Sequence, residues 1–196
     1  MDESEIWQGD EDKISEVITT YYQNLFTTSQ PNNSTEFIDA IQPNVINQMN
    51  NMLIKDFKAG DAKKALGQMY SLKSPGPDGM PPLFYQHFWS IVGDSVVKCV
   101  IDFLNIGMAP PNFHETHIVL IPKVKNPTKV LEYLPISLSN VIYKLASKVL
   151  TNRLKSLIPT LITENQSAFL SKRLITDNVL VAFEVMNTIS QKKIGK

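Results

Sequence analysis

The stretch Lys73-Ser74-Pro75-Gly76-Pro77-Asp78-Gly79-Met80-Pro81-Pro82 places two glycines and four prolines within ten residues. Proline fixes its own φ angle and disfavours the α region in the residue before it, so the helical patterns on either side cannot continue through this stretch. Pro77-Asp78-Gly79 is typical of a tight turn, with Gly79 free to adopt a positive φ. This Pro/Gly loop (residues 73–82) has two interpretations: a rigid connector, or a loop whose bare backbone approaches a ligand or a nucleic-acid strand.

Length and composition limit the class of protein. The chain has 196 residues, 43% of them hydrophobic, so it can form one sizeable core and a smaller second one. Its apolar runs fall short of the roughly 18 residues of a membrane span, and we expect no membrane partner. The acidic start, residues 1–5, is unlike a signal or transit peptide, which favours an intracellular location, nucleus or cytoplasm. The single Cys99 excludes an internal disulfide, and the three histidines lack the spacing of a zinc site.

The formal charge is zero overall but unevenly distributed. Residues 1–110 contain 14 acidic and 7 basic side chains, whereas residues 111–196 contain 5 acidic and 12 basic ones. Such asymmetry is typical of a protein whose basic part contacts a polyanion. The same counts also fit two solvated faces that contact each other, so charge alone leaves both interpretations open.

Apolar residues recur at helical spacing in several segments. They predict helices near residues 11–28, 45–53 and 62–70, the last capped by Asp61. Beyond the Pro/Gly loop, Asp94 is expected to open a helix that ends near Gly107. A final helix is predicted from about Thr176, and its pattern predicts four buried side chains: Leu180, Val181, Phe183 and Met186.

Two strand-like segments follow in the basic half. Residues 116–123 predict a buried strand that emerges at Pro122, and residues 133–138 predict a returning strand with Pro135 at its start or on an edge. The basic loop between them carries Lys125 and Lys129. Together they predict a β-hairpin that presents positive charge at its tip. Lysine side chains and backbone N–H groups are common donors to phosphate oxygens.

A helix is predicted next, over residues 141–154, with Asn140 as its cap. Lys144, Lys148 and Lys155 fall close to one stripe of this helix, at spacings of four and seven residues. Such a stripe fits a nucleic-acid backbone, although it also fits an ordinary solvated face.

Six blocks of this sequence form a pattern in their order and spacing. They are Lys73-Ser74-Pro75-Gly76-Pro77-Asp78-Gly79, Ile118-Val119-Leu120-Ile121-Pro122-Lys123, Pro135-Ile136-Ser137-Leu138, the stretch from Tyr143 to Leu154, Asn165-Gln166-Ser167-Ala168-Phe169 and Arg173-Leu174-Ile175-Thr176-Asp177-Asn178. Together they resemble the reverse transcriptase of LINE-type non-LTR retrotransposons, most of all the plant form. The similarity runs from about Ile14 to the C-terminus and is looser before Ser74.

The resemblance implies a right-hand polymerase, of which this chain would be the fingers and the start of the palm. The expected fold class is α+β and predominantly helical, with the short β-hairpin near residues 116–138. Residues 1–72 would be a linker-like helical segment upstream of the polymerase. Residues 73–196 would be a partial reverse transcriptase domain, truncated before the catalytic aspartates.

Site residues follow from the resemblance and the charge pattern together. Lys123 would bind the triphosphate of the incoming nucleotide, as a point charge against phosphate. The residues expected to contact the RNA template and DNA primer are Lys73, Ser74, Gly76, Lys125, Lys129, Lys144, Lys148, Arg153 and Arg173. Two positions depart from the family: Leu134 stands where an Arg normally precedes Pro-Ile-Ser-Leu, and Ser171-Lys172 stands where Pro-Gly normally precedes Arg173.

No catalytic or metal-binding residue is predicted in this chain. The family transfers phosphoryl groups with Mg²⁺ held by palm carboxylates, including an Asp-Asp pair, and this sequence contains no such pair. Asp78, Asp102 and Asp177 are isolated and have ordinary explanations as caps or turn residues. We therefore expect a fragment that needs no cofactor, cannot polymerise alone and binds nucleic acid weakly. The alternatives are a non-catalytic nucleic-acid-binding or protein-interaction module, or a retrotransposon relic with no retained function; the oligomeric state stays open.

Overall fold

The computed structural model describes residues 7–29, 44–163, 166–167, 170 and 173–192. The chain divides into a first unit, Met1–Gln42 with Phe57–Ala146, and a second unit, Pro43–Asp56 with Ser147–Lys196. The boundary predicted between residues 72 and 73 marks where the resemblance to the polymerase begins, not where a compact unit ends. It stays a prediction. The described helices and strands are, in chain order, α1 (Glu11–Phe26), α2 (Asn47–Leu53), α3 (Ala59–Gly67), α4 (Pro82–His87), α5 (Trp89–Ile106), β1 (Thr116–Pro122), a 3₁₀ helix (Val130–Glu132), β2 (Tyr133–Ser139), α6 (Val141–Leu154), α7 (Ile158–Leu161) and α8 (Ile175–Gln191).

The core of the first unit forms where α3 packs against α4 and α5. The buried side chains of these helices include Ala62, Ala65, Leu66, Tyr85, Val96 and Val100. Two side-chain amides tie neighbouring backbone to this core. Gln86 Nε2 donates to the carbonyls of Leu66 (3.0 Å) and Met69 (2.9 Å), at and just beyond the C-terminal end of α3.

The second amide belongs to Asn105, near the end of α5. Its Oδ1 accepts from Phe57 N–H (2.9 Å), and its Nδ2 donates to Phe57 O (3.1 Å). One side chain thus satisfies both backbone groups of a buried residue just before α3.

Helix ends differ from the sequence prediction at two aspartates. The prediction that Asp94 opens a helix is wrong. The break before α5 is the single residue Phe88, so α5 already begins at Trp89 and Asp94 lies inside it. Asp61 is the third residue of α3 rather than its cap, and its carboxylate accepts from Lys58 N–H (2.9 Å). The end predicted near Gly107 is confirmed: Gly107 has φ +74° and closes α5 in the left-handed conformation that glycine tolerates.

The β-hairpin forms where it was predicted, with β1 and β2 antiparallel and in register from Thr116 opposite Ser139 to Pro122 opposite Tyr133. The prediction of a buried strand is wrong, since Ile118, Val119 and Ile121 are all exposed. The physical reason is the size of the sheet. Strands of a two-stranded sheet pair at their edges and leave both faces uncovered, and Ile118 and Leu120 line an open groove of about 550 Å³ together with residues of α1.

In the second unit, α8 begins near the predicted residue but does not bury the predicted side chains. Leu180, Val181, Phe183 and Met186 are all exposed, at 59 to 68% of their surface. Asp177 is the third residue of α8 rather than its cap, and its carboxylate accepts from Leu174 N–H (3.1 Å), the same arrangement as Asp61 in α3. Asn178 Nδ2 donates to the hydroxyl of Ser167 (3.1 Å), which is buried, so this contact joins two of the sequence blocks that carry the resemblance.

Candidate nucleic-acid interface

Lys123 lies at the tip of the hairpin, directly after β1. Its backbone N–H donates to Glu132 O (2.8 Å) and its ammonium donates to Leu131 O (3.1 Å). The side chain is exposed. The residue predicted to face a triphosphate is therefore on the surface, with one of its three donors held by the 3₁₀ helix and the others directed away from that carbonyl.

Glu132 organises the turn that carries Lys129, one of the other tip lysines. Its carboxylate accepts from Thr128 N–H (2.6 Å), Lys129 N–H (3.1 Å) and the Thr128 hydroxyl (3.3 Å). The backbone hydrogen bond from Thr128, followed by that from Lys129, lowers the pKa of this carboxyl, because each favours the charged form. Lys129 is exposed on backbone that Glu132 holds, and Lys125 is exposed in the loop just before it.

Sequence reasoning missed this role of Glu132. The available signal was an acidic residue three positions after Lys129, the spacing at which a side chain reaches back to satisfy backbone N–H groups at a helix start.

The Pro/Gly loop lies at the opposite end of the hairpin, against the junction of β2 and α6. A Cβ on Gly76 would overlap the backbone nitrogen of Asn140 and the carbonyl carbon of Ser139. The close approach that glycine permits here is therefore to the chain's own backbone, as the rigid-connector interpretation requires. Asn140 Oδ1 accepts from Asp78 N–H (3.1 Å) across this contact.

The turn within the loop matches the sequence prediction. Gly79 has φ +69°, and its N–H donates to Gly76 O (3.0 Å). Asp78 Oδ1 accepts from Met80 N–H (3.1 Å), which confirms Asp78 as a turn residue. The buried Tyr85 hydroxyl donates to the other Asp78 oxygen at 3.4 Å, and burial, with a smaller contribution from Asp78, raises the pKa of Tyr85 to about 12.

Lys144 contacts the same loop from the first turns of α6. Its ammonium donates to Ser74 O (2.8 Å). Partial burial lowers the pKa of Lys144, nearby Lys73 lowers it further, and Asp78 opposes both. Lys73, Ser74, Gly76 and Lys144 are thus brought together at the loop, with Lys73 and Ser74 exposed.

Two predicted nucleic-acid contacts, Arg153 and Arg173, lie in the second unit and bind backbone carbonyls there. Arg153 donates to the carbonyls of Leu53 (2.9 Å), Lys55 and Asp56 (3.3 Å), at and beyond the C-terminus of α2. Arg173 donates to the carbonyls of Ile162 (3.3 Å), Thr163 (2.5 Å) and Gln166 (2.8 Å). Both guanidinium groups therefore stabilise the chain's own backbone, and nucleic-acid binding by them stays a prediction. The same holds for Lys148, which is half-buried.

The arrangement supplies cations and fixed backbone, which suits electrostatic binding of phosphate oxygens. Within the described ranges, no group of three or more His, Cys, Asp or Glu side chains could hold a metal ion. Asp102 instead pairs with Lys98 at 3.0 Å, one turn away on α5. No helix in the described part of the chain is both long and apolar enough to cross a membrane.

Comparison with known proteins gives one informative match. The chain is 28% identical over 180 residues to a protein of Xenopus laevis described as the transposon TX1 uncharacterized 149 kDa protein. The matched part covers 91% of this chain and 14% of that relative. No protein-family model matches the chain. The chain is therefore similar to a transposon protein and spans a small part of such a protein's length.

Proposed function

We propose that this chain is the fingers region, with the start of the palm, of a retrotransposon-derived reverse transcriptase. In this proposal it binds RNA or DNA strands through their phosphates and does not polymerise by itself. The similarity to a transposon protein and the six sequence blocks support the family. RNA template, DNA primer, deoxynucleoside triphosphate and Mg²⁺ belong to the parent enzyme in this proposal, because the chain spans only 14% of the relative.

The observation that carries the proposal is the placement of the lysines at the two ends of the hairpin. Lys123, Lys125 and Lys129 lie at its tip, and Lys73 lies on the loop at its base. Seven residue pairs separate the ends, which is about 20 Å at roughly 3.4 Å per residue. One strand of a duplex has a phosphate every 3.4 Å or so, and a strand that contacts both ends would span about six phosphates.

A salt titration tests this proposal. Binding of a labelled 16-nucleotide RNA is measured from 50 to 200 mM salt for the wild type, for the tip variant K123M/K125M/K129M and for the control K58M/K63M/K64M, which removes three exposed lysines in and beside α3. We expect the slope of log affinity against log salt to fall by about 2 to 3 in the tip variant and to stay unchanged in the control.

The length of the nucleic acid provides a second measurement. We expect affinity to drop for dinucleotides, since even a fully extended dinucleotide cannot reach both ends of the hairpin. Wild-type affinity that is absent at 50 mM salt, or a slope that the control changes as much as the tip variant does, would contradict the proposal.

The exposed apolar surface of α8 favours a second candidate function, a protein-interaction module. Val179, Leu180, Val181, Phe183, Val185, Met186 and Ile189 are all exposed, and a helix that is apolar on most sides is ordinarily buried. This candidate predicts concentration-dependent self-association in sedimentation experiments that F183S/M186S abolishes, with no salt-dependent RNA binding. RNA binding by a monomeric F183S/M186S variant would count against it.

A further inference from the structure

The contacts that hold the Pro/Gly loop come from two residues on the far side of the sequence. Asn140 Oδ1 accepts from Asp78 N–H at 3.1 Å, across 62 residues, and Lys144 Nζ donates to Ser74 O at 2.8 Å, across 70 residues. We call these two hydrogen bonds the loop anchor. They hold the loop at Ser74 and at Asp78. Gly76, which lies between these two residues, packs closely against the backbone of Asn140.

The position of Asn140 explains why its side chain serves the loop. The backbone carbonyl of Asn140 accepts from Lys144 N–H (3.1 Å), so the residue stands at the start of α6, where the sequence predicted a helix cap. Its side-chain oxygen is nevertheless directed to Asp78 N–H on the loop. Asn140, a residue type that often caps its own helix, thus holds the Pro/Gly loop instead. Lys144, one turn later in α6, forms the second hydrogen bond to the same loop.

The anchor lies beside the exposed residues of the loop. Ser74 O accepts from Lys144 Nζ, and both Ser74 and the adjacent Lys73 are exposed. Further bonds fix the flanks: Lys73 N–H donates to Tyr70 O (3.1 Å), and Leu83 N–H donates to Ser71 O (3.0 Å). The loop therefore has a backbone held by hydrogen bonds, and Lys73, Ser74 and Asp78 are among its exposed residues.

We propose that Asn140 and Lys144 are positioning residues, which hold the Pro/Gly loop so that Lys73 and Ser74 meet a nucleic-acid phosphate in a preset geometry. This inference rests on the proposed function and deepens it. In it, Asn140 contributes to affinity without carrying charge, and Lys144 contributes more through the loop than through its own charge. Preorganisation of this kind reduces the ordering cost of binding.

The test compares N140A, which removes the acceptor, with N140D, which keeps an oxygen at that position. Hydrogen exchange of the Asp78 amide reports the anchor directly, and the RNA salt titration reports binding. We expect the Asp78 amide of N140A to exchange at least about 10-fold faster, and its RNA affinity to fall about 3- to 10-fold with an unchanged salt slope. N140D should restore most of the Asp78 protection.

K144M and K148M provide a pair with the same loss of charge from one helix stripe. We expect K144M to expose the loop to exchange and to weaken binding more than K148M does, while both lower the salt slope by at most about one. This pair also tests the anchor independently should N140A fail to fold, which circular dichroism detects.

Each outcome is decisive. An Asp78 amide that exchanges equally in wild type and N140A overturns the anchor itself. A freed Asp78 amide with unaltered RNA affinity overturns the positioning role. Wild-type protein that fails to bind RNA at low salt overturns the proposed function, and this inference with it, before any variant is compared.

Discussion

Helices α6 and α8 have similar apolar patterns, but the start of α6 is covered whereas α8 is exposed. In α6, Val141 and Leu145 are no more than 1% exposed, whereas Leu180 on α8 is 59% exposed. The spacing of apolar residues predicted both helices, since that spacing reports which faces a helix can bury. The spacing does not report whether another segment of polypeptide packs against those faces. Two glycines and two glutamates also differ in whether neighbouring atoms contact them. Substituting the members of each pair measures what those contacts contribute.

The largest effect is expected for the same leucine truncation in the two helices. L145A should lower the free energy of unfolding of the first unit by about 2 to 5 kcal/mol, because it leaves a cavity in a closed core. L180A should change stability by less than about 0.5 kcal/mol, since its side chain already contacts water. Urea denaturation of both variants measures this difference. Equal losses would mean that α8 is covered in solution.

Glycines give the next pair. G76A should destabilise the first unit by about 1 to 3 kcal/mol, because the new Cβ overlaps backbone at Ser139 and Asn140, which cannot move aside as a flexible side chain would. G60A, in α3, meets nothing within 4 Å and should be neutral or stabilising by up to about 1 kcal/mol. Urea midpoints of the two variants test the prediction, and a tolerated G76A would break the distinction between covered and open glycines.

The smallest effect concerns two glutamates and acid. The folded state lowers the pKa of Glu132 from its ordinary value of 4.5, so its stabilisation of the tip turn is present above pH 4.5 and is lost as the pH falls through the lowered pKa. We expect the Thr128 amide signal to titrate in this acidic range in NMR spectra from pH 7 to pH 2. E132Q should abolish that titration, and E184Q, on exposed α8, should leave it unchanged. A Thr128 signal that titrates equally in E132Q would show that another group controls the turn.

Local patterns predicted much of the secondary structure. Helical spacing placed α1, α6 and the start of α8. A continuous apolar run, a returning segment with Pro135 and the basic loop between them placed the hairpin, and Gly107 ended α5 as expected. These features depend on dihedral preferences and neighbouring hydrogen bonds, which a short sequence window contains. Asp78 is a turn residue as predicted for the same reason, whereas Asp177 contacts the start of α8 from its third position instead of capping it.

Contacts distant in sequence were beyond such patterns. Asn140 reaches Asp78 across 62 residues, and Arg153 reaches the carbonyl of Leu53 across 100. Sequence reasoning gave Lys144, Arg153 and Arg173 to a nucleic-acid partner because they are cationic, yet each also donates to backbone carbonyls of its own chain. A cation and a hydrogen-bond donor look the same in a sequence, and only the folded chain shows which carbonyls are within reach.

The two-stranded sheet has a practical consequence for handling the protein. Each strand pairs with only one neighbour among the described residues, and Ile121 beside the tip is 48% exposed. Unpaired strand margins are templates for stacking identical chains, and apolar flanks strengthen such stacks. Storage at high concentration should therefore favour fibrillar precipitates seeded at β1, and a lysine introduced at Ile121 would act as a gatekeeper against them.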